Sequence, residues 1–222
     1  MQSIQTVGII GAGTMGNGIA QACATCGIDV VMVDINQAAV DKGLATVSGS
    51  LDRLIKKEKL TADQKTAALA RIKTSTEMRA LVGSQLVIEA ATENETLKVQ
   101  ILQQLDQLLP ADTLIASNTS SISITKLAAA TSRPSQFIGM HFFNPVPMMA
   151  LVEIIRGLQT SDATHDAVHA LAVALGKTPI TVKNAPGFVV NRILVPMINE
   201  AFFVLSEGLA TPEAIDEGMK LG

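Results

Sequence analysis

Two groups of residues in this chain have the types and spacing for chemistry. The first is Gly11-Ala12-Gly13-Thr14-Met15-Gly16, a G-x-G-x-x-G turn that follows the apolar run Ile4–Ile10 and opens a small-residue helix. In that setting each glycine has its own task. Gly11 permits the tight turn, Gly13 lets the backbone approach a pyrophosphate, and Gly16 lets the helix lie close on the strand. The helix N-terminus, at Thr14 and Met15, offers amides and a partial positive charge to phosphates. Asp34 stands 18 residues after Gly16, at the tip of the next apolar run, Val30–Val33. A carboxylate there accepts bonds from both hydroxyls of an adenosine ribose and repels a 2′-phosphate. Neither Ile35 nor Asn36 supplies the arginine expected for NADP, so the pattern predicts an NAD site.

The second group flanks the corner Asn144-Pro145-Val146-Pro147. His141 precedes Pro147 by six residues and Glu153 follows it by six. If the flanking apolar runs fold back antiparallel about this corner, imidazole and carboxylate face one another. Glu153 is an isolated acid in an apolar strand, a position that needs a partner. A carboxylate that fixes the tautomer of a histidine is a common way to build a general base. A purely structural His–Glu pair fits the same spacing, and both readings stand at this point. Two weaker signals carry less. Cys23 and Cys26 form a C-x-x-C late in a helix rather than at its N-terminus, which suits small apolar packing better than redox chemistry. His165 and His169 share a helix face, but no third ligand stands near them, and no metal site is expected.

The elements that must position these groups alternate. Strands are expected at 4–10, 30–33, 86–89, 114–117, 137–143, 151–155 and 178–182, with helices at 15–26, 38–59, from 61, 95–109, 124–130 and 162–175. This is a doubly wound, mainly parallel α/β sheet of Rossmann type with right-handed crossovers. The alternation stops at Ala185-Pro186-Gly187. Beyond it only helical patterns remain, roughly 189–206 and a helix opened by Thr211-Pro212-Glu213. The expected division is a nucleotide-binding domain over 1–185 and the start of an all-helical domain over 186–222. Composition narrows the partners. The 222 residues are 48% hydrophobic and 17% charged with a net charge of −3, and they include no Trp or Tyr. That excludes a basic nucleic-acid surface and a base-stacking platform. The oiliest stretch, Phe188 to Leu205, is interrupted by Asn191, Arg192, Asn199 and Glu200, so no membrane span is expected. Without a leader-like start or a disulfide framework, a cytoplasmic protein is expected.

Together with Val87-Ile88-Glu89-Ala90, Glu93-Asn94, Ser117-Asn118-Thr119-Ser120-Ser121, His141-Phe142-Phe143-Asn144-Pro145, Leu151-Val152-Glu153 and Pro186-Gly187-Phe188-Val189-Val190-Asn191-Arg192, the glycine turn resembles the 3-hydroxyacyl-CoA dehydrogenase family over residues 4–222. The resemblance implies reversible oxidation of an (S)-3-hydroxyacyl-CoA, short-chain 3-hydroxybutyryl-CoA in particular, with NAD taking the hydride. It implies that His141 is the general base and Glu153 the acid that orients it, with Ser120 and Asn191 bonding the reacting oxygen. It places Ala91, Glu93, Lys98 and Asn118 along the cofactor, and Ser50 and Lys57 beside the CoA moiety. Lys56, Lys57 and Lys59 also read as a solvated basic helix end.

The resemblance implies a homodimer formed through a helical domain that continues past Gly222. The 37 residues after 185 are too few for a core of their own, so this chain is expected to be a C-terminally shortened form. Two other functions fit the scaffold: a different β-hydroxyacid or sugar-acid dehydrogenase, and a non-catalytic NAD-binding protein, since fold alone does not decide function.

Overall fold

Short runs of β-branched and leucine side chains, buried on both faces, become the strands of a central sheet in the computed structural model, which describes residues 3–222. Among these residues the order of elements is β1 (Thr6–Ile10), α1 (Thr14–Thr25), β2 (Asp29–Val33), α2 (Gln37–Lys56), α3 (Ala62–Ala70), β3 (Ile72–Ser75), β4 (Leu86–Glu89), α4 (Glu95–Leu108), β5 (Leu114–Ser117), α5 (Ile124–Ala128), β6 (Phe137–Phe142), β7 (Leu151–Arg156), α6 (Asp162–Ala174), β8 (Thr178–Lys183), α7 (Val190–Ser206) and α8 (Pro212–Leu221). The strands form one sheet in the order β3-β2-β1-β4-β5-β6-β7-β8. All neighbours run parallel except β6 and β7, which are antiparallel. The fold is thus the mainly parallel, Rossmann-type sheet that the alternation of elements implies.

The chain winds outward from β1 to β3, then crosses back to β4 on the other side of β1. This reversal opens a crevice outside the carboxyl ends of β1 and β4, where ligands of such sheets bind. Apolar layers cover both faces. Ile19, Val47 and Leu51 pack with Ile9 and Met32 on one, and Leu102, Leu105 and Leu127 pack with Val87 and Ile115 on the other. Each fully buried aliphatic side chain of this kind contributes about 1.5–3 kcal/mol.

Helix starts follow local chemistry. Asn36, Asn94, Ser161 and Thr211 each accept a bond from a first-turn amide. Thr61 and Gln64 form a reciprocal capping box at α3, as the polar run Thr61-Ala62-Asp63-Gln64 suggests. The sequence reading missed β3. It is a short edge strand in which only Ile72 is buried, so it carries almost no apolar signal. Beyond β8 the chain turns through two left-handed residues, Gly187 (φ 73°) and Phe188 (φ 52°), into α7. Neither α7 nor α8 buries a residue.

Candidate active site

The glycine turn joins β1 to α1 at the crevice. Gly11 has φ 99°, and a Cβ on it would fall 2.6 Å from the Ala90 carbonyl oxygen of the neighbouring strand connection. A Cβ on Gly16 would stand 1.7 Å from the Gly11 oxygen, so the helix can lie this close only as glycine. Gly13 faces open space. No side chain caps α1, which leaves its first amides free toward the crevice. Asp34 follows β2 directly. Its Oδ2 accepts from the Ala12 amide at 2.7 Å and its Oδ1 from the Ile35 amide at 2.7 Å. The carboxylate is thereby held against the glycine turn, with lone pairs left for a ribose. These features fit a dinucleotide: a cradle that side chains would fill, free amides, and an acid at the ribose end.

A cleft of about 430 Å³ continues from this turn over the tips of β4, β5 and β6. Gly13, Thr14, Met15, Ala91, Asn118 and Ser120 line it, together with Glu93, Lys98 and His141. A larger hollow of about 560 Å³ lies at the opposite end of the strands, around Gly83, Gln85 and Pro110, away from all of these groups.

The register of β6 against β7 sets His141 directly opposite Glu153. Their separation is 2.7 Å between Nδ1 and Oε2. Glu153 is fully buried and His141 is 6% exposed. An ionised carboxylate only accepts, so Nδ1–H donates and the lone pair falls on Nε2, the nitrogen left for the cleft. Oε1 of Glu153 is also used: it accepts from the Val189 and Val190 amides at 3.0 Å each, at the start of α7. The ring of His141 lies against Phe143 and Phe188, with centroids 4.5 and 5.7 Å away. Glu153 therefore ties the imidazole to the same helical turn that carries Asn191. Behind the corner, Lys177 Nζ donates to the Val146 and Met149 carbonyls at 2.6 and 2.8 Å. Burial pushes its ammonium below the ordinary lysine range, against a smaller opposing effect of Cys26.

A second buried acid closes the other side of the cleft. Glu89, at the tip of β4, is fully buried, and Lys98 on α4 is 1% exposed. Lys98 Nζ lies 2.6 Å from Glu89 Oε2 and 3.6 Å from Glu93 Oε2. Glu89 also accepts from Ser117 Oγ at 2.8 Å and from the Ala91 amide at 3.0 Å. Glu93 Oε1 gathers the loop after β5. It accepts from Thr119 Oγ1 (2.7 Å), the Ser120 amide (2.8 Å) and Ser120 Oγ (3.1 Å), and from the Ser121 amide and hydroxyl (3.2 and 3.0 Å). Burial pushes the Glu93 carboxyl up, but the bonds from Thr119 and Ser120, the Lys98 charge and the Ser121 bond outweigh it and hold it below the usual carboxylate range. Asn118 Oδ1 accepts from the Phe142 amide at 2.9 Å, joining this loop to β6.

The structure thus brings His141, Ser120, Glu93, Lys98, Asn118 and Ala91 around one cleft, with Glu153 behind the imidazole. Asn191 sits on the first turn of α7, next to the amides that bond Glu153. Ser50 and Lys57, half-buried and exposed respectively, lie on and just after α2 and do not line the cleft. Glu89 was not among the site residues read from sequence. Its signal was present: an acid ending the apolar run Leu86-Val87-Ile88, the same cue that singles out Asp34. The weaker candidates resolve into ordinary contacts. His165 bonds Asp166 and Thr181 through its two ring nitrogens. Cys23 is core, with burial pushing its thiol up to about 12, whereas Cys26 is exposed rather than packed.

Strand order and glycine turn define a dinucleotide-binding α/β protein, with a buried His–Glu pair at the rim of the crevice. The chain belongs to the 3-hydroxyacyl-CoA dehydrogenase family: residues 6–185 match that family's NAD binding domain and residues 187–222 its C-terminal domain. It is 50% identical over 219 residues to a 3-hydroxybutyryl-CoA dehydrogenase of Bradyrhizobium diazoefficiens, covering 99% of this chain and 75% of that one. A 3-hydroxybutyryl-CoA dehydrogenase of Clostridioides difficile is 48% identical, over 96% of this chain and 76% of the relative. The crystal structure of (S)-3-hydroxybutyryl-CoA dehydrogenase from Ralstonia eutropha superimposes with a TM-score of 0.97 at 73% identity, over 99% of this chain and 78% of that one.

Proposed function

We propose that this chain catalyses the NAD-dependent, reversible oxidation of a 3-hydroxyacyl-CoA to the 3-ketoacyl-CoA, with 3-hydroxybutyryl-CoA as the substrate. The observation that carries this reading is the 2.7 Å pair of His141 Nδ1 and Glu153 Oε2 at the edge of the cofactor cleft. Family membership and the names of the relatives supply the substrate class.

NAD, when bound, supplies the hydride acceptor. The chain supplies the proton chemistry. Nε2 of His141 takes the hydroxyl proton, and Glu153 steadies the imidazolium that results without itself leaving its carboxylate form. In the reverse direction Nε2 returns the proton to the developing alkoxide. Ser120, whose single hydroxyl proton turns from Glu93 to the substrate, and Asn191, at the head of α7, are the neutral donors for that oxygen. Gly11, Gly13, Thr14, Met15 and Gly16 hold the pyrophosphate, and Asp34 the adenosine ribose. Ala91, Glu93, Lys98 and Asn118 line the nicotinamide half, and Ser50 and Lys57 take the CoA moiety. The division falls at residues 185 and 186.

We place the protein in the cytoplasm, which its two free cysteines fit. Among the described residues no helix is long and apolar enough to cross a membrane. A homodimer formed through the helical part is supported by exposed Ile193, Val195, Phe202 and Phe203 on α7. Sedimentation of the purified chain tests it, and a monomer at micromolar concentration counts against it.

The deciding experiment is oxidation of NADH by acetoacetyl-CoA, run beside free acetoacetate. Turnover of the thioester alone is expected. Turnover of the free acid but not the thioester overturns the CoA assignment.

A further inference from the structure

The Glu89–Lys98–Glu93 relay contains two carboxylates and one ammonium, which leaves one uncompensated negative charge. Glu89 and Lys98, 2.6 Å apart and sealed from solvent, cancel each other. The charge that remains is that of Glu93, which lines the cleft and is fixed by five donors from residues 119–121. Its depressed pKa keeps it ionised at neutral pH. In a sheet of this winding a dinucleotide lies across the carboxyl ends of the strands. Asp34 marks the adenosine end beside β2. The nicotinamide end then falls over β4, β5 and β6, where Glu93, Asn118 and His141 stand. An oxidised nicotinamide ring carries a positive charge and a reduced ring none.

Resting on the NAD reading above, we infer that this relay discriminates the redox state of the cofactor: Glu93 favours the oxidised form, and the Glu89–Lys98 pair holds Glu93 in place. The role of Glu89 is thus positioning, through Lys98. A unit charge several ångströms from the ring, in surroundings of effective dielectric constant between protein and water, changes relative affinity about tenfold.

The test is binding without substrate. NAD and NADH are titrated separately, by calorimetry and by NADH fluorescence, into the wild-type chain and three variants. Glu93→Gln removes the uncompensated charge but keeps an acceptor for the loop. Thr92→Lys adds a positive charge to the same cleft without touching the relay, and stands in for Glu93→Gln if that variant folds poorly. The double variant Glu89→Gln with Lys98→Met removes the neutral pair that holds Glu93 but leaves the Glu93 charge.

Glu93→Gln is expected to weaken NAD about tenfold relative to NADH, and Thr92→Lys to move the ratio the same way. The double variant, which loosens Glu93 without discharging it, is expected to shift the ratio the same way but by less. An unmoved ratio in Glu93→Gln overturns the inference, as does an unmoved ratio in Thr92→Lys where Glu93→Gln folds poorly. So does equal loss of both forms in Glu93→Gln, which assigns the relay to shape alone. So does a double variant that leaves the ratio unmoved or shifts it as far as Glu93→Gln. If the wild-type chain binds neither form, the cofactor reading itself fails.

Discussion

Glu89 and Glu153 occupy equivalent predicaments on opposite sides of one cleft. Each is a carboxylate in an otherwise apolar strand, each is fully buried, and each accepts backbone amides with one oxygen while the other meets a basic side chain. What separates them is the partner. Glu89 faces the ammonium of a lysine. Glu153 faces a histidine, the side chain whose charge changes near neutrality. The first pair can only be architecture and fixed field. The second can exchange a proton with whatever reaches Nε2. On the proposed reading the same buried acid builds a strut on one side and a base on the other, and the chemistry lies in the partner.

The sharpest way to break this contrast is to truncate the proton carrier. His141→Ala is expected to lower turnover by about a thousandfold or more, within the range for general-base loss. NADH binding, read by fluorescence, stays intact. Unchanged turnover would sink the proton-transfer role. On the strut side, Lys98→Met leaves Glu89 buried without its counter-charge, which costs about 3–5 kcal/mol of stability in a denaturant titration. A loss below about 1 kcal/mol would show that the pair is not the strut described. Glu153→Gln comes next. It keeps the shape but presents a neutral amide to Nδ1, so turnover falls about a hundredfold while stability changes less than in Lys98→Met. If Glu153→Gln unfolds the protein and Lys98→Met leaves it stable, the two acids have been assigned the wrong way round.

This contrast was half legible in the sequence. The glycine turn, Asp34 and the spacing of His141 and Glu153 about a proline corner all depend on local rules, so the residues themselves carry them. The antiparallel register that joins His141 to Glu153 follows from the corner. The Glu89–Lys98 pair depends on a helix returning over a neighbouring strand, and Lys98 sits in α4 with the polar periodicity of a surface residue. Only packing reveals that it is 1% exposed. The five bonds to Glu93 come from a loop 26 to 28 residues away, a distance that no local rule spans. The missed edge strand β3 has the same cause, since its pairing with β2 rather than its own pattern makes it a strand.

Asp34 extends the comparison to an acid that is only partly buried and, among the described residues, has no basic partner. Asp34→Ala is expected to weaken NAD at least about tenfold, through loss of the charge-assisted hydrogen bonds to the ribose hydroxyls. NADP, which the carboxylate repels, should weaken less or improve. Equal losses for both cofactors would remove the ribose contact and leave Asp34 as a brace for the Ala12 amide.

Glu93 lies between the strut and the base, half exposed yet held by many donors, and it yields the smallest effect. Its folded pKa is depressed, so the unfolded chain binds its proton more readily than the folded one. The stability this adds is therefore complete above the unfolded glutamate value of about 4.3, and it is lost as pH falls from there through the lower folded value. Asp106, where bonds from Ser132 and Arg133 outweigh burial, behaves likewise from its own unfolded value of about 3.9. Glu93→Gln should thus flatten the acid limb of a stability–pH curve in that window and leave its slope above pH 6 untouched. Nearly half of the Glu93 side chain is exposed, so solvent screens it and the change in slope is small. A steeper acid limb in Glu93→Gln would mean that the loop bonds favour the neutral acid, and would remove the fixed negative charge from the cofactor cleft.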